Sequence, residues 1–455
     1  MTTLTWHDLP AHPTRWWGLA ALRDMRRDYL GFIGAQQRLG DLAAQRILRE
    51  RVVDVFDPAL VRALMVDHAD ALVRWARGPE VFADLMGQSV LVTEGATWQR
   101  QRRMLMPAFT PKRVAGYAAL MTQAAVEGLA RVRPGEVAMD ALYSHLTMDV
   151  ISRTLFSTPI GQDTAAAAHA VQVLSETALG EMFWPVTLPD WLPLPGKAAK
   201  RRASRLLHGL LASHINARAD ADDGRSDLLG MLKALRDETT GEALSRQEVY
   251  DQCMVSFQAG HETSATALLW WSWLLATHPE VQDRARAEVD AMLAGRVPTA
   301  DDAGALPYLS ATLKEAMRLY PPVAAIMTRR LTRDITVGGV QLPARTLVRV
   351  TPWLLHRDPR CWPEAEAFRP ERFLPGAPHE IPRGAYIPFG LGPRVCLGQH
   401  FAVLEMTLIA ALVLQRFHLS PVEASPPEPR MAVTLRPAGG LRLRLAARAP
   451  QQPQP

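Results

Sequence analysis

The chain has 455 residues, 48% of them hydrophobic and 21% charged, with a formal net charge of +5. That apolar share supplies ample core for a large fold and a buried cofactor. The charge reads as a solvated basic surface with no accompanying nucleic-acid motif, and no apolar run approaches the ~20 residues that span a bilayer, so nucleic-acid binding and a transmembrane anchor are both excluded.

Residues 1–50 read as an N-terminal segment, partly helical. Met1 to Arg15 carry charges and prolines without a signal-peptide core. Trp16, Trp17, Leu19 and Leu22 suit a packed helix better than a membrane-surface one. In Gly95 to Arg103, Trp98 and Arg102 stand four residues apart, so on a helix they share one face and can both donate to one carboxylate. Arg100, Arg103, Lys112 and Arg113 make this region basic. The stretch from Met182 to Pro195 is Pro-rich with aromatics. A long helix from about Ser245 to Ala276 contains Ala259-Gly260-His261-Glu262-Thr263-Ser264. Polar residues inside an apolar helix need a reason, and an acid and a threonine beside a glycine can loosen the helix and admit water. A helix from about Tyr308 to Leu319 puts Glu315 and Arg318 on one face. Val337 to Val350, turning at Gly338-Gly339, reads as a hairpin, and Thr434 to Leu445, broken by Pro437-Ala438-Gly439-Gly440, as another.

Between these hairpins lies Phe389-Gly390-Leu391-Gly392-Pro393-Arg394-Val395-Cys396-Leu397-Gly398, followed by a helical run from Phe401 to Phe417. A thiolate needs nearby positive charge or backbone N–H groups. Arg394 and a helix N-terminus supply both. Gly390, Gly392 and Gly398 suit close backbone approach and unusual φ. Cys253 and Cys361 read as plain buried or loop residues, and a sparse, odd cysteine count suits a reducing compartment. Residues 446–455 read as a disordered Pro/Gln tail.

Four of these elements carry a resemblance. Phe389 to Gly398 fits F-x-x-G-x-R-x-C-x-G, and Ala259 to Ser264 fits [AG]-G-x-[DE]-T-[TS]. Glu315 to Arg318, with Pro370-Glu371-Arg372-Phe373, is similar to an E-x-x-R helix and its P-E-R-F partner, and Trp98 to Arg102 fits W-x-x-x-R. From about Arg51 to Leu445 the chain resembles the cytochrome P450 family. The resemblance implies one haem domain over 51–445, mainly α with a small β region, in place of the three domains that length alone suggests. It implies haem b (iron protoporphyrin IX) with Cys396 as the thiolate and metal ligand, Phe389 packed near the iron–sulfur bond and Gly398 in the same loop. Arg394, Trp98, Arg102 and Arg329 would hold the propionates, with Arg330 able to exchange roles with Arg329. Gly260, Glu262 and Thr263 fall on the catalytic positions: Thr263 hydrogen-bonds the oxygen being activated and Glu262 helps relay protons. Glu315, Arg318 and Arg372 form a structural triad that locks the segment holding the haem loop. The pocket would be walled by Phe82, Met86, Val90, Phe257, Ala259, Val323, Ala324, Ile326 and Ala438, under a mobile lid at 182–195. Such walls imply a hydrophobic substrate.

The activity implied is monooxygenation: one oxygen atom from O2 enters a C–H or C=C bond, by hydroxylation or epoxidation, with electrons from NAD(P)H. No flavin or iron–sulfur domain follows, so a separate ferredoxin or flavodoxin with its NAD(P)H reductase is expected, steered to the basic patch around Arg100 and Arg103. A soluble, cytoplasmic location goes with this reading. Two other readings compete: a peroxide-driven haem-thiolate peroxygenase, and a non-catalytic haem-binding sensor or carrier. The Glu262–Thr263 pair argues against both.

Overall fold

The computed structural model describes residues 4–11, 18–159, 161–184, 186–218, 227–325 and 327–448. Trp16, Trp17, Ile326 and the tail from 449 lie outside the described residues. The helices that build the site are Arg77–Met86 (α1), Gly95–Leu105 (α2), Met139–Phe156 (α3), Thr164–Met182 (α4), Arg246–Thr277 (α5), Pro307–Leu319 (α6) and Gln399–Arg416 (α7).

Helix α5 is the axis of the fold. Ser245 and Glu248 close a capping box at its start, with Ser245 N–H donating to Glu248 Oε2 at 2.9 Å. It ends at Thr277 because His278 precedes Pro279, and a residue before proline disfavours the helical region. It is apolar nearly all round, so it is buried, with α3 its principal partner. Its polar side chains serve the neighbouring chain. Asp251 Oδ2 accepts from Gln88 N–H, Gln252 Oε1 accepts from Val90 N–H, and Gln258 Nε2 donates to Leu85 O at 2.9 Å. These bonds pin the end of α1 and the segment after it over the site. Lower on the same helix, Trp270 stacks on Tyr320 with ring centroids 3.9 Å apart.

The main sheet contains Leu42–Ile47 (β1), Glu50–Val55 (β2), Leu72–Arg74 (β3), Met327–Leu331 (β4) and Leu347–Val350 (β5), in the order β1-β2-β5-β4-β3. Only β2 and β5 run parallel. The boundary placed at residue 50 falls inside the β1–β2 hairpin. Buried Asp54 ties this hairpin to the rest of the domain: it accepts from Gln45 Nε2 at 2.8 Å and from Arg349 at 2.5 and 2.8 Å.

Both expected hairpins are corrected. Ile335–Val337 and Val340–Leu342 pair about Gly338-Gly339, whose φ values are +58° and +77°. Leu347–Val350 leaves this hairpin and runs between β2 and β4, where every residue is buried. Leu435–Pro437 (β7) pairs back on Pro429–Met431 (β6), while Arg442–Ala447 joins Phe417–Pro421 and Gly135–Ala138. The Gly439-Gly440 turn thus carries the chain to another sheet, and the final strand runs two residues past 445. Among the described residues no helix is long and apolar enough to cross a membrane.

Candidate cofactor and active site

The loop before α7 turns Cys396 inward through backbone geometry. Gly392 has φ +77°, and a Cβ there would lie 1.9 Å from Met65 O, so only glycine fits. Val395 N–H donates to Gly392 O at 3.0 Å and Cys396 N–H to Phe389 O at 2.8 Å. Gly398 departs from the expected unusual φ: its value is −84°, and a Cβ there meets no protein atom within 4 Å. It borders a cavity of about 430 Å³ together with Phe389, Arg394 and Cys396. Cys396 is enclosed by the fold while its own surface opens on this cavity. Burial pushes its thiol up, and the Gly398 N–H and the Arg102 guanidinium act in the opposite sense.

Helix α5 lines the same cavity with Ala259, Gly260, Glu262 and Thr263. A Cβ on Gly260 would come within 3.0 Å of Ile151 Cδ1, so glycine lets α3 approach α5 here. Thr263 Oγ1 donates back to Ala259 O at 2.8 Å. Glu262 is buried, and its Oε1 accepts from Ser175 at 3.0 Å and Thr434 at 2.8 Å and pairs with Arg436 at 3.2 Å. His261, between these residues, is fully buried; burial pushes it down to about 4, so it is neutral and no proton donor near pH 7.

Phe82, Met86, Val90, Ala259 and Val323 line the cavity. Three expected wall residues do not. Phe257 turns into the core, its ring centroid 5.9 Å from that of His261, because it lies one turn from His261 on the helix face away from the cavity. Ala324 is fully buried, and its carbonyl accepts from Trp353 N–H. Ala438 sits at the far end of β7, held to Glu428 O, and the tip that reaches the cavity is Val433-Thr434 between β6 and β7. Ile326 lies outside the described residues. The expected lid is tied down: buried Lys197 and Lys200 both bond Glu181 at the end of α4 and Asp190 in the loop.

A cluster of arginines borders the loop. The Arg394 guanidinium lies 4.0 Å over the Trp98 ring and donates to Glu94 Oε2 at 2.5 Å. Arg102 and Arg329 also face the cavity, and among the described residues the Arg102 side chain makes no hydrogen bond or ion pair. Arg330 points elsewhere and grips Glu50 through two bonds of 2.9 and 2.8 Å, which separates its role from that of Arg329. A fourth arginine, Arg74, lines the cavity too. Nothing local in the sequence points to it, because β3 is three residues long. Glu94, Ser175 and Arg436 are unsignalled because each meets the site through tertiary contact alone. Around this cradle, Arg100 pairs with Glu248 and Arg103 with Asp237, so half of the expected basic patch is neutralised internally.

Behind the loop, Glu315 and Arg318 are fully buried and joined by bonds of 2.7 and 2.8 Å, and Arg372 Nε reaches Glu315 Oε1 at 3.2 Å. Arg318 also donates to the carbonyls of His356, Ala365 and Ala367. His356 Nε2 in turn accepts from Ile387 N–H at 2.8 Å, two residues before Phe389. Burial pushes His356 down to about 3, which keeps Nε2 an acceptor. The triad is thereby coupled to the cysteine loop.

A thiol and a set of under-neutralised arginines on one apolar cavity suit a dianionic porphyrin with an axial sulfur ligand. Fold and site together define the haem-thiolate class. The chain matches the family model Cytochrome P450 over residues 10–443 and belongs to the cytochrome P450 family. It is similar to cyclooctatin synthase of Streptomyces melanosporofaciens, at 36% identity over 92% of this chain and 91% of that protein. It is also similar to cyclooctat-9-en-7-ol 5-monooxygenase of the same organism, at 33% over 86% and 85%, and to pentalenene oxygenase of Streptomyces avermitilis, at 32% over 94% and 95%. The chain is a haem-thiolate monooxygenase of mainly α fold.

Proposed function

We propose that Cys396 would supply the thiolate ligand of the haem, that Trp98, Arg102, Arg329 and Arg394 would hold its carboxylates, and that Glu262 and Thr263 manage protons during oxidation of a cyclic, hydrophobic substrate. The single observation that supports this reading best is that all of these residues share one cavity of about 430 Å³. When bound, haem with a thiolate ligand supplies O–O cleavage and transfer of one oxygen atom.

The chain's own residues supply the rest. Phe82, Met86, Val90 and Val323 offer apolar surface that excludes water and orients a hydrocarbon by shape. Thr263 keeps its hydroxyl hydrogen-bonded to Ala259 O until a better acceptor enters the cavity. Glu262 takes up or releases a proton at Oε1 as its Ser175, Thr434 and Arg436 partners rearrange. Phe389 shields the cysteine side of the site.

Two relatives bear names that refer to cyclooctat-9-en-7-ol and pentalenene, a ring alcohol and an alkene by nomenclature. With the apolar walls, this favours a cyclic alkene or its alcohol as the substrate here, hydroxylated or epoxidised. Electrons come from NAD(P)H through a ferredoxin or flavodoxin and its reductase. With Arg100 and Arg103 paired, steering falls to exposed Lys112 and Arg113. Three free thiols fit a reducing compartment such as the cytoplasm.

The test is the carbon monoxide spectrum of the reduced protein. The red-shifted thiolate band is expected, and Cys396→His should abolish it while haem stays bound. A band that survives the substitution overturns the assignment.

A further inference from the structure

Arg74 and Arg329 stand directly opposite each other on adjacent strands β3 and β4. Like charges at that register repel, since directly opposed side chains start only about 5 Å apart. Both nevertheless turn to the cavity. Among the described residues the Arg74 guanidinium makes no hydrogen bond; its buried Nε has only an ion pair, with Glu94 Oε1 3.5 Å away. Arg74 and Arg329 are pushed down to about 9 and about 10, by burial first and then by neighbouring cations including Arg394.

One carboxylate stands among these charges. Glu94, at the N-cap of α2, accepts from Arg394 at 2.5 Å and from the Arg74 backbone N–H at 3.1 Å. Of the four guanidinium groups facing the cavity, Arg74 and Arg394 pair with Glu94, whereas among the described residues Arg102 and Arg329 have no carboxylate ion-pair partner. Such an excess of part-buried positive charge calls for a dianion at least.

We propose that Arg74 is a further cofactor-binding residue that donates to a haem carboxylate, and that Glu94 is a positioning residue that holds Arg74 and Arg394 ready and trims the cradle's charge. This rests on the haem-thiolate reading above. Two propionates leave the cradle with one net positive charge, which favours the reduced, more negative haem. Glu94 opposes that bias.

The test uses purified holoenzyme and two readouts, haem transfer to apomyoglobin and the haem reduction potential. Arg74→Gln should speed haem loss about tenfold or more, the loss of a charged hydrogen bond, and lower the potential. Arg74→Lys should recover most of the potential. Glu94→Gln should raise the potential, the opposite sign, which a merely structural role would not produce. Unchanged haem loss and potential in Arg74→Gln overturn the inference. If that variant fails to fold, the Glu94→Gln potential decides: an upward shift supports the inference and none overturns it. A wild-type protein without a thiolate band would instead defeat the underlying reading.

Discussion

Thr263 carries the sharpest consequence at the scale of one residue. Its hydroxyl is back-bonded to Ala259 O at 2.8 Å and also borders the cavity. Removing it leaves substrate space and walls intact while removing a proton donor. Thr263→Ala should therefore lower product formed per NAD(P)H at least about tenfold and raise peroxide release, with haem content unchanged. Unaltered coupling would remove Thr263 from the mechanism. Cys396 and Thr263 were legible in the sequence because their chemistry demands particular neighbours close in the chain. Arg74 and Glu94 were not, since their meaning comes from an opposed strand and a distant arginine.

Helices were readable as elements because apolar periodicity and caps are local. The expected helix from Ser245 to Ala276 and the observed Arg246–Thr277 differ by one residue at each end. Strand partners were not readable, since an alternating run looks the same whether it folds back or crosses to another sheet. Packing of α5 against α7 has its own consequence. Glu405 on α7 is fully buried, neither carboxyl oxygen has a hydrogen-bond partner among the described residues, and burial pushes its carboxyl from the ordinary 4.5 up to about 8, with Ser264 of α5 acting against the shift. A carboxyl raised in the folded state stabilises below the unfolded value and loses that contribution as pH rises through the folded one. This chain should thus lose stability, on the order of a few kcal/mol, between pH 4.5 and 8 through Glu405. Glu405→Gln should flatten the thermal midpoint against pH over that window. An unchanged slope would exclude Glu405 as its source.

Across the whole molecule, a buried ion pair connects α6 to the cysteine loop. Arg318 satisfies both Glu315 and three carbonyls, whereas Arg372 adds one bond to Glu315 and one to Glu364 O. Arg318→Ala leaves a buried carboxylate short of its main partner and should cost about 3–5 kcal/mol and most of the haem incorporated on expression. Arg372→Ala should cost about 1–2 kcal/mol and keep more haem. Equal losses in thermal midpoint and haem content would contradict this order.

The amino-acid sequence alone determined the chemistry and the family resemblance, because a cysteine loop, an acid–threonine pair and an E-x-x-R helix are each written within a few residues. Only the tertiary structure decided which apolar residues line the cavity, which of Arg329 and Arg330 faces it, and that Arg74 joins them. Facing is set by strand register and helix rotation against neighbours far along the chain, and no local pattern encodes those neighbours.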